Sequence, residues 1–161
     1  MNIGLTDCLS ESQILADLRA TNRWEAIDEL INNLVETGKI KPEHRDAITA
    51  VVRKRESSMS TGIGYGIGIP HASTDLINDP IAALGRSKKG IAFDALDGQP
   101  VTLVILFLIP QGQFQKHLHT VAEIAKLLKT PHFREAVEQA PDASSILWII
   151  RRRSSSHLMS K

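Results

Sequence analysis

The chain has little of what several common kinds of function require. It holds one cysteine, Cys8, so no disulfide can close within it and no thiolate cluster can hold a metal. Aromatic residues make up 4% of the sequence, too few for a platform that stacks nucleic-acid bases. The formal net charge is +1, which provides neither a basic field for nucleic acid nor an acidic tail. No apolar run reaches the ~20 residues of a membrane-spanning helix. The first nine residues have no basic stretch followed by an apolar one, so no secretory signal is expected. These absences predict a cytoplasmic protein, with no nucleic acid as partner and no direct membrane insertion. A length of 161 residues suits a single domain with a proper core. The expected division is one domain over residues 1–152 and a flexible Arg/Ser-rich tail over 153–161.

What is present is concentrated in one stretch, Ser60-Thr61-Gly62-Ile63-Gly64-Tyr65-Gly66-Ile67-Gly68-Ile69-Pro70-His71-Ala72. Glycines at alternate positions strip the side chains from one face of an extended segment. A partner surface or another backbone can then approach closely. Pro70 fixes the backbone just before His71, and a neutral imidazole is a competent nucleophile. The run is not a Walker A loop, which must end in Gly-Lys-Ser/Thr. It is not a dinucleotide fingerprint either, because Ile67 and Ile69 stand where a third glycine is needed. A glycine-rich edge strand packed closely on a helix remains the plain alternative.

The rest of the chain reads as strands interspersed with helices. Residues 14–18 suggest a short strand. Asn22 can cap a helix over about 23–36 with Ala26, Ile27, Leu30, Ile31, Leu34 and Val35 as its apolar stripe, ended by Gly38. Pro42 suits the first turn of a second helix reaching about Glu56. Residues 73–78 read as a turn or short helix, and 80–84 and 91–93 as candidate strands. Asp97-Gly98 is a turn signal. Residues 101–109 are nearly all apolar and β-rich, as a strand buried on both faces should be. Helices follow over about 114–129, 132–139 and from Pro141-Asp142 to about Arg151. The expected fold class is α/β, a single-domain sandwich with a mixed β-sheet flanked by helices.

Six histidines are present: His44, His71, His117, His119, His132 and His157. His44, His132 and His157 sit in helix starts and the tail, where a solvated role suffices. His117 and His119 would chelate a metal on a strand, but on a helix they point about 200° apart. His117 continues the stripe of Val121, Ile124, Ala125 and Leu128. It therefore faces inward at a helix N-terminus, where an anion is favoured. A buried histidine satisfied by a backbone carbonyl is the alternative. His119 falls with Glu123 and Lys126 on the polar side. No carboxylate or cysteine spacing supports zinc, so no metal and no cofactor are expected. Arg55 ends the second helix, where it can either bind phosphate bidentately or complement the helix dipole. Ser60 and Ser73 have no nucleophile elbow around them.

Taken together, Arg55-Glu56-x-x-x-Ser60-Thr61-Gly62-Ile63-Gly64-x-Gly66-Ile67-x-Ile69-Pro70-His71 resembles the signature of a bacterial family. The family is the IIA components of the phosphoenolpyruvate-dependent phosphotransferase system, mannitol/fructose class. Within that class the likeness is closest to the nitrogen-related regulatory IIA proteins. Residues 91–101 (Ile-Ala-Phe-Asp-Ala-Leu-Asp-Gly-Gln-Pro-Val) and His117-Leu118-His119-Thr120-Val121 resemble the same proteins. The resemblance implies a mixed sheet flanked by helices and a histidine that takes a phosphoryl group from the carrier HPr or its nitrogen-system paralogue. It places that histidine at His71, with His117 and Arg55 as further active-site residues. Ser60, Thr61, Gly62, Gly64, Gly66 and Ile69 are the expected phosphate- or partner-binding positions, over a shallow apolar floor of Ile63, Ile67 and Ile69. Tyr65 and Gly68 stand where the nitrogen-related proteins often have Asn and Ala. The phosphate would pass to a separate IIB partner or serve as a signal. The other reading is a non-catalytic regulatory module that controls a target protein by contact alone. A helical-bundle phosphotransfer domain conflicts with the buried strand.

Overall fold

The computed structural model describes residues 5–159, and side chains over 7–152. The organising element is strand β6 (Val101–Pro110). It separates two apolar clusters. Leu103, Ile105, Phe107 and Ile109 belong to one, and Val104, Leu106 and Leu108 to the other. Alternate side chains thus point to opposite, equally dry faces, which is why the strand reads as an unbroken apolar run.

Strand β5 (Ile81–Ile91) runs antiparallel along one edge of β6, with Leu84 opposite Ile105. Beyond it lies β1 (Ile14–Leu15), parallel to β5. On the other edge of β6, two short segments follow one another: β3 (Ile67–Gly68) and β4 (His71–Thr74), both parallel to β6. Strand β2 (Gly62–Gly64) pairs antiparallel with β3 and closes the sheet. The sheet is mixed, as expected.

Helices α2 (Arg23–Glu36) and α3 (Arg45–Ser58) cover one face through Ala26, Ile27, Leu30, Ile31, Leu34, Ile48 and Val52. Helices α4 (Phe114–Leu128), α5 (Pro131–Gln139) and α6 (Ala143–Met159) cover the other through Ile124, Leu128, Phe133, Val137, Ile146 and Ile150. A four-residue helix α1 (Leu5–Cys8) precedes them all. Asn22 caps α2 as expected, its side chain accepting from the Glu25 N–H. No helix among the described residues is long and apolar enough to cross a membrane.

Several expectations are corrected. The strand at 14–18 is only two residues long. Pro42 opens a 3-10 turn (Pro42–His44) before α3 begins. Residues 73–74 belong to strand β4 rather than to a turn. The strands expected at 80–84 and 91–93 are one strand of eleven residues. Its polar middle hid it, because Arg86 is buried. The Arg86 guanidinium donates to the carbonyls of Ala16, Val137 and Ala140, so the chain just after β1 and the end of α5 together supply acceptors for this buried cation. The last helix runs on to Met159 instead of ending near Arg151. The side chains of the tail 153–161 lie outside the described residues.

Candidate functional site

The glycine run is a tight hairpin rather than one extended strand. Gly64 pairs with Ile67, and Tyr65 and Gly66 turn the chain with φ of 59° and 76°. Two positive φ values in a two-residue loop match the right-handed twist of the flanking strands. The bare face expected to await a partner is filled by this chain. A Cβ on Gly62 would lie 2.8 Å from the Ala95 Cα, and one on Gly68 would lie 2.7 Å from the Phe93 ring. The glycines let residues 93–95 lie flat on the hairpin. The apolar floor is corrected too: Ile67 and Ile69 are buried in the core and Ile63 packs partly against it.

The hydroxyls of Ser60 and Thr61 are likewise turned inward. Ser60 Oγ donates to the Phe93 carbonyl at 2.8 Å and accepts from the Gly62 N–H. Thr61 donates to both carboxylate oxygens of Glu56, from its hydroxyl at 2.6 Å and its N–H at 2.9 Å. Glu56, 1% exposed, also pairs with Arg23 at 3.2 Å. This buried carboxylate joins the end of α3, the start of α2 and the entry to the hairpin. The Gly66 carbonyl accepts from the Thr102 and Leu103 N–H groups, and Gly64 faces the Asp97 carboxylate.

His71 opens β4, opposite Phe107. Parallel partners share a face, so His71 lies on the side covered by α4. The Phe107 N–H donates to the Pro70 carbonyl at 2.9 Å, which fixes the backbone beside the histidine. The imidazole Nδ1 is 2.8 Å from the Ile69 carbonyl oxygen. A carbonyl only accepts, so Nδ1 carries the proton and Nε2 keeps its lone pair. The ring is half-buried and stacks on Phe114, with centroids 6.3 Å apart and planes 23° apart. Burial pushes its pKa below the ordinary histidine value. The Ile69 carbonyl opposes that shift, the nearby Arg55 charge adds to it, and Glu56 opposes it weakly.

Arg55 lies in the last turn of α3 with one long hydrogen bond, from Nη1 to the Met59 carbonyl at 3.4 Å. Among the described residues its other guanidinium N–H groups have no partner. Phe114 brings the first turn of α4 to His71, and His117 follows one turn later on the same side. His117 is 1% exposed, whereas the His119 side chain is 61% exposed and lies 3.6 Å from Glu123. The inward–outward assignment of the two histidines therefore holds. Burial, then the Lys116 charge, lowers the His117 pKa. Among the described residues no three His, Cys, Asp or Glu side chains gather as metal ligands do.

Phe114, Gln113 and the Glu56 anchor were not expected in these roles. Phe114 and Gln113 precede His117 by three and four residues, the spacing of helical neighbours, and that was the available signal. The anchoring role of Glu56 depends on the fold and had no local signal.

The chain is thus a mixed sheet between two helical layers, with His71 at a strand start, its Nδ1 proton held by the Ile69 carbonyl and the Arg55 charge acting on its ring. Residues 7–153 match the family described as "Phosphoenolpyruvate-dependent sugar phosphotransferase system, EIIA 2", and the chain belongs to that family. It is 35% identical over 121 residues to the fructose-specific EIIA component of Haloferax volcanii, covering 75% of this chain and 77% of that protein. It is 30% identical over 146 residues to a nitrogen regulatory protein of Bradyrhizobium diazoefficiens, covering 91% and 94%. The fructose-specific EIIABC component of Bacillus subtilis is 34% identical over 148 residues, which is 92% of this chain but 23% of that longer protein. Among solved structures, nitrogen regulatory IIA-Ntr from Neisseria meningitidis superposes with a TM-score of 0.81 at 24% identity over 90% of this chain and 97% of that one. Mannitol IIA from Escherichia coli does so with a TM-score of 0.73 at 19% identity, over 88% and 97%. These two likenesses show the fold.

Proposed function

We propose that this chain is a cytoplasmic phosphoryl carrier in which Nε2 of His71 is the acceptor. The observation that carries the reading is the Ile69 carbonyl on Nδ1–H, which leaves Nε2 as the nucleophile. The donor is an HPr-like phosphocarrier bearing its own phosphohistidine. The N–P bond of the donor breaks as the Nε2–P bond forms. His71 keeps its Nδ1 proton, held by Ile69, and the donor ring, carrying a proton on its other nitrogen, departs as a neutral imidazole, so no proton need leave the site. In the loose transition state, charge spreads over three equatorial oxygens. The unused N–H groups of Arg55 stabilise it, with His117 and the N-terminus of α4 as further support. Depression of the His71 pKa keeps the ring neutral and nucleophilic at neutral pH.

From His71 the phosphoryl group passes to a IIB partner or acts as a signal. A IIB destination is supported by the similar fold of mannitol IIA, solved in complex with phosphorylated IIB of the mannitol system. The regulatory reading, in which a target protein is controlled by contact, is favoured by the near full-length match to a nitrogen regulatory protein. Incubation with labelled phosphoenolpyruvate, the first enzyme of the system and HPr tests the proposal. Acid-labile, base-stable label on His71 is the expected result. An unlabelled protein that still captures a partner supports contact-only regulation instead.

A further inference from the structure

Gln113 stands immediately before α4 as its N-cap, yet its side chain caps no backbone N–H. It is turned instead toward His117. Its Oε1 lies 3.1 Å from the His117 Nε2, and its carbonyl accepts the His117 N–H at 3.1 Å. One residue therefore holds His117 by both main chain and side chain. An amide oxygen only accepts, so this bond needs the His117 proton on Nε2 and leaves Nδ1 with a lone pair. His71 has the opposite arrangement, its proton held on Nδ1 and Nε2 bare. The two rings are thus fixed as opposite tautomers by different acceptors.

We propose that Gln113 is a positioning residue: it orients the His117 ring and fixes its tautomer, so that Nδ1 is the nitrogen through which His117 meets the phosphoryl group. This rests on His71 being the acceptor. Lys116, on its own helix, places a positive charge near the His117 ring. Arrival of the phosphoryl oxygens adds negative charge beside the ring. A proton taken from solvent onto Nδ1 then makes the ring a donor at both nitrogens, one to Gln113 and one to phosphate. In that step the N–H bond forms at Nδ1 as an O–H bond of a solvent hydronium breaks, leaving water.

The test uses 15N-labelled full-length protein with two variants. Gln113→Met keeps the length but has no acceptor, and Gln113→Glu keeps an acceptor. In wild type and Gln113→Glu, the His117 ring should show an Nε2–H signal protected from solvent exchange. In Gln113→Met that protection should fall at least tenfold. Transfer from the donor should slow several-fold in Gln113→Met with donor affinity unchanged, and recover in Gln113→Glu. An Nδ1–H tautomer in the wild type overturns the proposal, as does a Gln113→Met protein with wild-type exchange or wild-type transfer. A protein with the expected Nε2–H that never accepts phosphate refutes the acceptor reading. The proposed role falls with it, while the Gln113 bond itself stands.

Discussion

Replacing Arg55 in two ways separates its charge from its shape. Arg55→Lys keeps a cation but loses the planar fork that meets two phosphoryl oxygens at once. Arg55→Gln loses both. Of the five guanidinium N–H donors, one is used in the long bond to the Met59 carbonyl. The rest are available to a phosphoryl group, so little fold stability should change. Removing one well-placed donor from a transition state typically costs about 100- to 1,000-fold, and Lys recovers part of that as a point charge. Arg55→Lys should therefore slow transfer by roughly 10- to 100-fold, about 1.4 to 2.7 kcal/mol of barrier, and Arg55→Gln by more. A second readout reports the charge alone. The Arg55 field helps to hold the His71 pKa down, so Arg55→Gln should let it rise, whereas Arg55→Lys should leave it nearly in place. Rapid-quench transfer from phosphorylated HPr supplies the rates, and NMR titration of the His71 ring supplies the pKa. If both variants transfer at the wild-type rate, Arg55 only completes a helix end and the stabilisation assigned to it is wrong.

His71→Ala should abolish labelling and leave the thermal unfolding midpoint within a few degrees, because the half-buried ring makes one hydrogen bond; acid-stable label, or label on the variant, would remove His71 from the chemistry. His117→Ala should slow transfer strongly and His119→Ala several-fold at most, given their burial; single-mutant rates in the reverse order would contradict the inward placement of His117. Stability should also depend on pH in a defined direction. Burial depresses the pKa of His71 and of His117 in the folded chain, so below the unfolded value of about 6.5 the unfolded chain binds more protons. The stability present at pH 7.5 is then lost as pH falls through about 6.5 toward the folded values. The urea midpoint should drop between pH 7.5 and 5.5, and an equal drop in a His71→Gln/His117→Gln double variant would refute this origin.

Periodicity was the most legible property. The apolar stripe and the Asn22 cap located α2, and the unbroken run 101–109 located the central strand, because both patterns follow directly from which faces are dry. Helical phase alone separated His117 from His119. The His-Pro neighbourhood singled out His71, but the glycines around it were legible only as bare, not as covered. What covers them is Phe93 and Ala95, a segment some 30 residues away, and such a long-range contact leaves no local trace. Arg86 hid β5 for the same reason, since its acceptors lie just after β1 and at the end of α5. Ser60 and Thr61 are typical phosphate-loop residues in composition, yet the buried Glu56 and the Phe93 carbonyl take their hydroxyls.

The arrangement of β3 and β4, end to end along one edge of β6, has a consequence for how the protein can vary. His71 takes its register from Phe107 and Pro70, while the hairpin takes its own from Leu103 and Val104. Two separate anchorages on one rigid rail isolate the His71 ring from the Tyr65–Gly66 tip. The tip can change in residue or length without displacing the His71 ring. The hairpin tip and the His71 ring are thus mechanically uncoupled although they lie within ten residues of one another in the chain.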